Sequence, residues 1–201
     1  MFLIPVVVYL LLTIKTNTRF ELRPFEYFLI LVQAIFFSYL GNVFSLKGIE
    51  YSPNPGYSLI ISKSYVVFTA VASIFIFNAP LTVRSVIAII VIIAFSALIM
   101  IGKSKTITKS NTLWLPYTLG AFFCWGLLAL SSKYLLNVGV PIFTRLIYTM
   151  IIVTAIILGE IKIRKIPVFT ITKLQLIVLV MIGLFSTSFN YYMQVGFNVA
   201  P

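Results

Sequence analysis

The sequence reads as an all-α integral membrane protein, and its composition, its apolar runs and its loops each say so. Hydrophobic residues make up 61% of the 201 residues and charged residues only 9%, with a mean hydropathy of +1.10. A water-soluble domain carries roughly a quarter charged residues, so this chain lacks the polar surface needed to face water. Seven apolar runs stand out, at residues 1–14, 27–44, 56–77, 83–101, 113–136, 142–159 and 174–197. The segments between them are short and polar. "KTNTRFELRPFE", "KSKTITKSN" and "KIRKIPVFTITK" hold most of the Lys and Arg. The net charge of +11 therefore orients a membrane protein and does not point to nucleic acid.

The first run is the exception in length. As a helix it spans about 21 Å, against about 30 Å of hydrocarbon. It begins at the initiating Met1 with no polar lead-in, and it reads as a helix cut through its beginning. No basic n-region or small-residue cleavage site marks a signal peptide. The six later runs are each long enough to cross a bilayer, which needs about 17–25 residues. Their length and lack of period-2 alternation predict helix. The β-branched stretch "SVIAIIVIIAFSALIM" is no exception. In lipid the backbone must satisfy its own hydrogen bonds, and that outweighs propensities of about a few tenths of a kcal/mol.

The entry to the third run reads "GIEYSPNPGYSLIISKS". Asn54 suits an N-cap, Pro55 the first helical turn, and Gly56 a close backbone approach. Together they start a helix whose positive end is able to face a polar group. Lys63 then falls about 10 Å along that helix from Gly56. A lysine at a helix centre in a membrane costs about 2.5–3.5 kcal/mol on insertion scales. Three readings stay open for it: snorkelling to the interface, a water-filled cavity, or an ion pair with an acid. Ser58, Ser62, Tyr65, Thr69 and Ser73 form a polar stripe at helical spacing on the same run. Such a stripe suits a protein or water interior, and it also suits helix–helix adhesion.

Other polar residues inside the runs are weighed the same way. Asn42 and Asn190 sit near helix ends and fit either a site or interhelical hydrogen bonds. Arg145 lies one turn into its run, as an interface charge within reach of the headgroups or as a cavity charge. Trp125 sits in the middle of "GAFFCWGLLAL", away from the interfaces where aromatics anchor. Tyr191 and Tyr192 line a path or belong to an aromatic belt. The candidate substrate-binding residues are thus Asn42, Ser58, Ser62, Lys63, Trp125 and Asn190.

An internal repeat organises the chain. Residues 37–53 and 185–201 align without gaps at a shift of 148, matching Phe37, Ser38, Asn42, Gly48 and Pro53 to Phe185, Ser186, Asn190, Gly196 and Pro201. The register gives a five-helix unit. The first unit, within 1–102, lacks its first helix, and the second, within 113–201, lacks its last two. A full pair would have ten helices in about 290 residues, so the chain is expected to be a fragment, short by about 36 residues in front and about 50 behind. An odd helix number puts the two units in opposite orientations, the inverted-repeat plan of secondary transporters. Which face is cytoplasmic is left open. Lys47, Lys103, Lys105, Lys109, Lys162, Arg164 and Lys165 share one face, and Lys15, Arg19, Arg23, Arg84 and Lys133 the other.

Four stretches resemble the drug/metabolite transporter superfamily, in particular its EamA-type members. "GIEYSPNPGYSLIISKS" looks like the entry to a family fourth helix, and "PLTVRSVIAIIVIIAFSALIMIG" like a fifth with its closing glycine. "GAFFCWGLLALSSKYLL" resembles a first helix with a mid-helix tryptophan, and "VPIFTRLIYTMIIVTAIIL" a second with an arginine one turn in. Their order covers nearly the whole chain. The resemblance implies a ten-helix fold of two inverted five-helix repeats that moves small metabolites or drugs. The chain departs from the pattern in the helices it lacks and in Asn78–Ala79, where family members often carry an acid.

The expected function is a secondary carrier with its substrate near the midplane between repeats, in the plasma membrane of a prokaryote. Its partners would be the lipid bilayer and a small-molecule substrate, with a homodimer left open. The alternatives are a non-transporting membrane scaffold and a degenerate transporter fragment. An intramembrane enzyme is disfavoured. Asp and His are absent, the acids are Glu21, Glu26, Glu50 and Glu160, and Cys124 is the lone cysteine. Zinc and triad chemistry have no residues to use, and no cofactor or metal is expected. A Lys63 pair with Ser62 or Ser64 points about 100° apart on a helix, which is poor geometry for catalysis.

Overall fold

The computed structural model describes residues 3–15, 20–80, 82–100, 112–165 and 172–199. Among them seven joined helices follow in chain order: α1 Leu3–Lys15, α2 Pro24–Tyr51, α3 Pro55–Phe77, α4 Val83–Met100, α5 Trp114–Asn137, α6 Ile142–Arg164 and α7 Lys173–Val199. Arg19, Lys103, Lys105, Lys109 and Pro201, which entered the orientation and repeat readings, lie outside the described residues.

Five helices, α2, α3, α5, α6 and α7, are long and apolar enough to cross a membrane. The runs had led us to expect six. The difference is α4, whose described apolar stretch, Val83–Phe95, is short, and α1 contributes only the short stretch Ile4–Lys15. Large apolar side chains point outward in quantity, among them Phe75 (81% exposed), Val83 (76%) and Leu98 (74%). Surfaces of that kind are stable against acyl chains and not against water. The protein is an integral-membrane, multi-helix protein.

Helix ends extend past the apolar runs where local chemistry supports them. Pro24 opens α2, and the Glu26 carboxylate accepts a bond from the Arg23 backbone N–H at 2.8 Å, satisfying an orphan donor. Asn54 caps α3 in extended conformation, its Oδ1 accepting from the Gly56 N–H at 2.8 Å. Removing this cap by Asn54→Ala is expected to lower stability by ~1 kcal/mol. Asn54→Asp should restore most of it, and thermal melting of both variants in detergent micelles reads the difference. Asn78 ends α3 in the left-handed region, with the Ala79 N–H reaching back to the Ser73 carbonyl at 3.3 Å. At Gly139, φ is +88° and the turn joins α5 to α6, a conformation that glycine adopts without a Cβ penalty. α6 continues beyond its apolar run to Arg164, where Glu160 and Arg164 pair at 2.7 Å across one helical turn.

Packing divides the chain into two compact units, Met1–Ile35 with Ser132–Ala200, and Phe36–Ser131. In the first, α1 packs on α6 and α7, and the opening turns of α2 pack on α6. Tyr9, Leu146 and Ile147 form one core, joined by Leu12, Phe143, Met150 and Tyr191. Ile30, Leu135 and Val140 form another, with Tyr148 and Ile152 against them. Polar adhesion supplements both. The Tyr9 hydroxyl donates to the Thr187 carbonyl at 2.6 Å, and the hydroxyls of Tyr27 and Tyr148 lie 3.2 Å apart.

In the second unit small residues let helices approach. An added Cβ at Gly48 would lie 2.7 Å from Thr118 Oγ1 and 2.8 Å from Ser58 Oγ, so α2, α3 and α5 meet there with no room to spare. Gly120 abuts Phe44, and Gly126 abuts Phe68. Close approach at small residues is how membrane helices gain dispersion contacts without a hydrophobic drive between them. Two irregularities break the regular winding. Gln33–Tyr39 of α2 is wound as a π-helix, which neither a proline nor a glycine in that stretch foretells. α3 is made of Pro55–Lys63 and Tyr65–Phe77, joined at Ser64, whose ψ is −2°. The Ile60 carbonyl there accepts from both the N–H (3.0 Å) and the hydroxyl (2.8 Å) of Ser64. Such back-bonding bends helices.

Candidate functional site

Two charged side chains in spanning helices anchor the candidate site residues, one in each unit. In the Phe36–Ser131 unit it is Lys63. This residue ends the first segment of α3, just before the bend at Ser64. Its ammonium sits over the indole ring of Trp125 on α5, 4.3 Å from the ring centroid. None of the three readings open from the sequence includes that contact. Among the described residues no carboxylate pairs with Lys63, and the side chain is exposed. Trp125 is held in turn by two neighbours. The Tyr65 ring meets it edge-on with centroids 6.1 Å apart. Gly41 brings the α2 backbone so near that a Cβ there would lie 3.1 Å from indole Cδ1 and Nε1. Among the described residues the ammonium has no hydrogen-bond acceptor, and an ammonium beside an aromatic ring is able to meet a polar or anionic group.

The remaining α2 and α3 candidates fall in different settings. Ser58 is buried, its hydroxyl 2.8 Å from that of Thr118, which itself donates to the Trp114 carbonyl at 2.8 Å. Ser62 is buried and donates to the Leu59 carbonyl at 3.2 Å. Thr69 and Ser73 likewise turn back to carbonyls of their own helix, at 2.9 and 2.8 Å. Asn42 is exposed. Asn54, Pro55 and Gly56 form the start of α3, with Gly56 buried.

In the other unit the charge is Arg145, on α6. Its side chain does not snorkel. It is 3% exposed, and one terminal nitrogen, Nη1, donates to Ser132 Oγ. Nε and Nη2 are buried without a hydrogen-bond partner among the described residues. Tyr9, fully buried, lies against the same stretch of α6 and is an electrostatic neighbour of the guanidinium. Asn190, on α7, donates to the Ser186 carbonyl at 2.8 Å within its own helix. Tyr191 stacks on Phe143 with ring centroids 5.5 Å apart, and Tyr192 is exposed.

Sequence reasoning passed over Ser132, Tyr9 and the buried amide Gln194, whose Oε1 has no hydrogen-bond partner among the described residues. The available signal was an amide inside an apolar run, which is costly in hydrocarbon unless it is satisfied. Ser132 and Tyr9 carried no such signal, since hydroxyls in membrane helices commonly bond within their own turn.

Comparison of this chain with protein-family models, with curated proteins and with solved structures returns no match. The fold, with a buried Arg145 and an exposed Lys63 in its spanning helices, defines a polytopic helical membrane protein that keeps charge within those helices.

Proposed function

We propose that this integral membrane protein is a secondary carrier of small metabolites or drugs, of the drug/metabolite transporter type that its motifs resemble. In this reading residues 1–102 and 113–201 belong to two inverted repeats that alternate access to a small-molecule substrate, in the cytoplasmic membrane of a prokaryote. The carrier does no covalent chemistry. The single observation that supports it most is Lys63 over Trp125. A cation inside a spanning helix marks a substrate or ion path by default. Here it is steadied by an aromatic ring, and among the described residues its donors are unspent. A purely structural lysine would be expected to pair with an acid or to reach the headgroups.

The test needs no prior substrate. Proteoliposomes are loaded with the small-molecule fraction of a bacterial extract, and efflux is followed by mass spectrometry. At least one solute should leave faster than from protein-free vesicles. Lys63→Ala and Trp125→Ala should each slow that efflux about fivefold or more, the equivalent of ~1 kcal/mol of lost binding, at equal protein incorporation. Efflux indistinguishable from empty vesicles for every solute would replace the carrier by the scaffold reading.

A further inference from the structure

Within the carrier reading, on which this step rests, we infer that Arg145 is the ligand for an oxyanion group, carboxylate or phosphate, on the transported solute. The guanidinium fork has two ways to grip two oxygens at once. Its Nη1 nitrogen is committed to Ser132 Oγ. The two nitrogens without a hydrogen-bond partner among the described residues, Nε and Nη2, are not a random remainder. They lie on one edge of the planar group and point the same way, and that edge matches the two oxygens of a carboxylate or phosphate. Ser132 therefore fixes the rotation of the fork and leaves a complete bidentate edge unused.

The described residues offer this edge no acceptor. The chain has no Asp and four Glu, and all four lie within the described residues. Glu26 binds the Arg23 backbone and Glu160 pairs with Arg164. Among the described residues no ion pair joins any of them to Arg145. A guanidinium enclosed at 3% exposure without a counter-charge is the arrangement that an incoming anion completes. Tyr9 shields it, tied to the Thr187 carbonyl at 2.6 Å. In the carrier reading, access to the enclosed fork would come with a helix movement of the kind that gives a carrier its alternation.

The experiment is a thermal-shift titration of the purified protein in nanodiscs of phosphatidylcholine, with acetate and with inorganic phosphate as probes and chloride at matched ionic strength as baseline. A third arm uses discs containing phosphatidylglycerol and no added probe, which separates a lipid phosphate from a solute. The expected result is saturable stabilisation by acetate or phosphate. Arg145→Lys, which keeps the charge and loses the two-pronged edge, should weaken it about tenfold or more. Ser132→Ala, which frees the fork to rotate and leaves the edge itself in place, should weaken it by less than Arg145→Lys does. Phosphatidylglycerol stabilising the wild type and not Arg145→Lys would assign the edge to lipid and overturn its role toward solute. So would equal shifts in the wild type and Arg145→Lys, or no shift from either probe. Oxyanion binding without efflux in the vesicle assay would keep Arg145 as a binding residue and remove the carrier reading. Efflux that Arg145→Gln leaves undiminished would do the reverse.

Discussion

Gly48→Leu is expected to be among the most destabilising single substitutions in the chain, by about 2–4 kcal/mol. Even the first carbon of a side chain there would lie 2.7 Å from Thr118 Oγ1, 2.8 Å from Ser58 Oγ and 3.3 Å from the Thr118 backbone nitrogen. Neither hydroxyl has an easy way out. Thr118 Oγ1 is bound to the Trp114 carbonyl at 2.8 Å, and Ser58 and Thr118 are bound to each other at 2.8 Å. The new side chain must either break this pair or push α2 away from α3 and α5. The first loses about 0.6–2 kcal/mol of interhelical hydrogen bonding. The second forfeits dispersion contacts along the whole interface. Gly48→Ala should show the same sign at smaller size. The contrast is Gly196, the mate of Gly48 in the sequence repeat, which has nothing within 4 Å. Gly196→Ala should be neutral or gain ~0.5–1 kcal/mol from helix propensity. Melting in detergent, followed by fluorescence-detected size exclusion, ranks the three. Equal melting of Gly48→Leu and Gly196→Ala would mean that the three helices do not meet at Gly48.

The elements that could be read from the sequence are those that hydropathy and local capping decide. Run length placed the seven helices, because a bilayer admits few alternatives to a helix for 20 apolar residues. What it could not place were ends set by polar chemistry. α2 begins at Pro24 because Glu26 reaches back to Arg23, and α6 continues to Arg164 because Glu160 pairs across the turn. Both lie outside the apolar runs. The π-wound stretch Gln33–Tyr39 also escaped, since no residue in it has a preference for that winding.

The site residues divide along the same line. Lys63 and Trp125 could each be singled out as a polar or aromatic residue out of place. Their contact could not, because it depends on how α3 lies against α5, and the two positions are far apart in sequence. The sense of the polar stripe was equally hidden. Ser58 spends its hydroxyl across a helix contact, whereas Thr69 and Ser73 spend theirs within their own turn. Spacing is the same for all three, and only packing tells them apart. Arg145 is the sharpest case. One turn into its helix, an arginine has the reach to snorkel, and what prevents it is the enclosure by α1 and the end of α5, elements more than a hundred residues apart.

Arg145→Met is therefore expected to raise stability while it abolishes transport. A buried charge that lacks full pairing loses its hydration and regains little. Replacing such a group by an apolar one of similar length is commonly neutral or stabilising by about 1–4 kcal/mol. Methionine is unbranched and adapts to an irregular space, so it fills most of the volume the guanidinium stem leaves. Ser132 is not stranded by the change, because it has further interactions of its own. The sign follows from the two nitrogens that have no hydrogen-bond partner among the described residues. Had the fork been met on both edges, removing it would leave acceptors unpaired, and the same substitution would cost about 3–5 kcal/mol. Melting temperature and vesicle efflux, measured on one preparation, separate the cases. A more stable protein with no efflux shows that the arginine is kept at a structural cost for what it binds. A less stable protein shows that the guanidinium holds the helices together, and the oxyanion role falls with it.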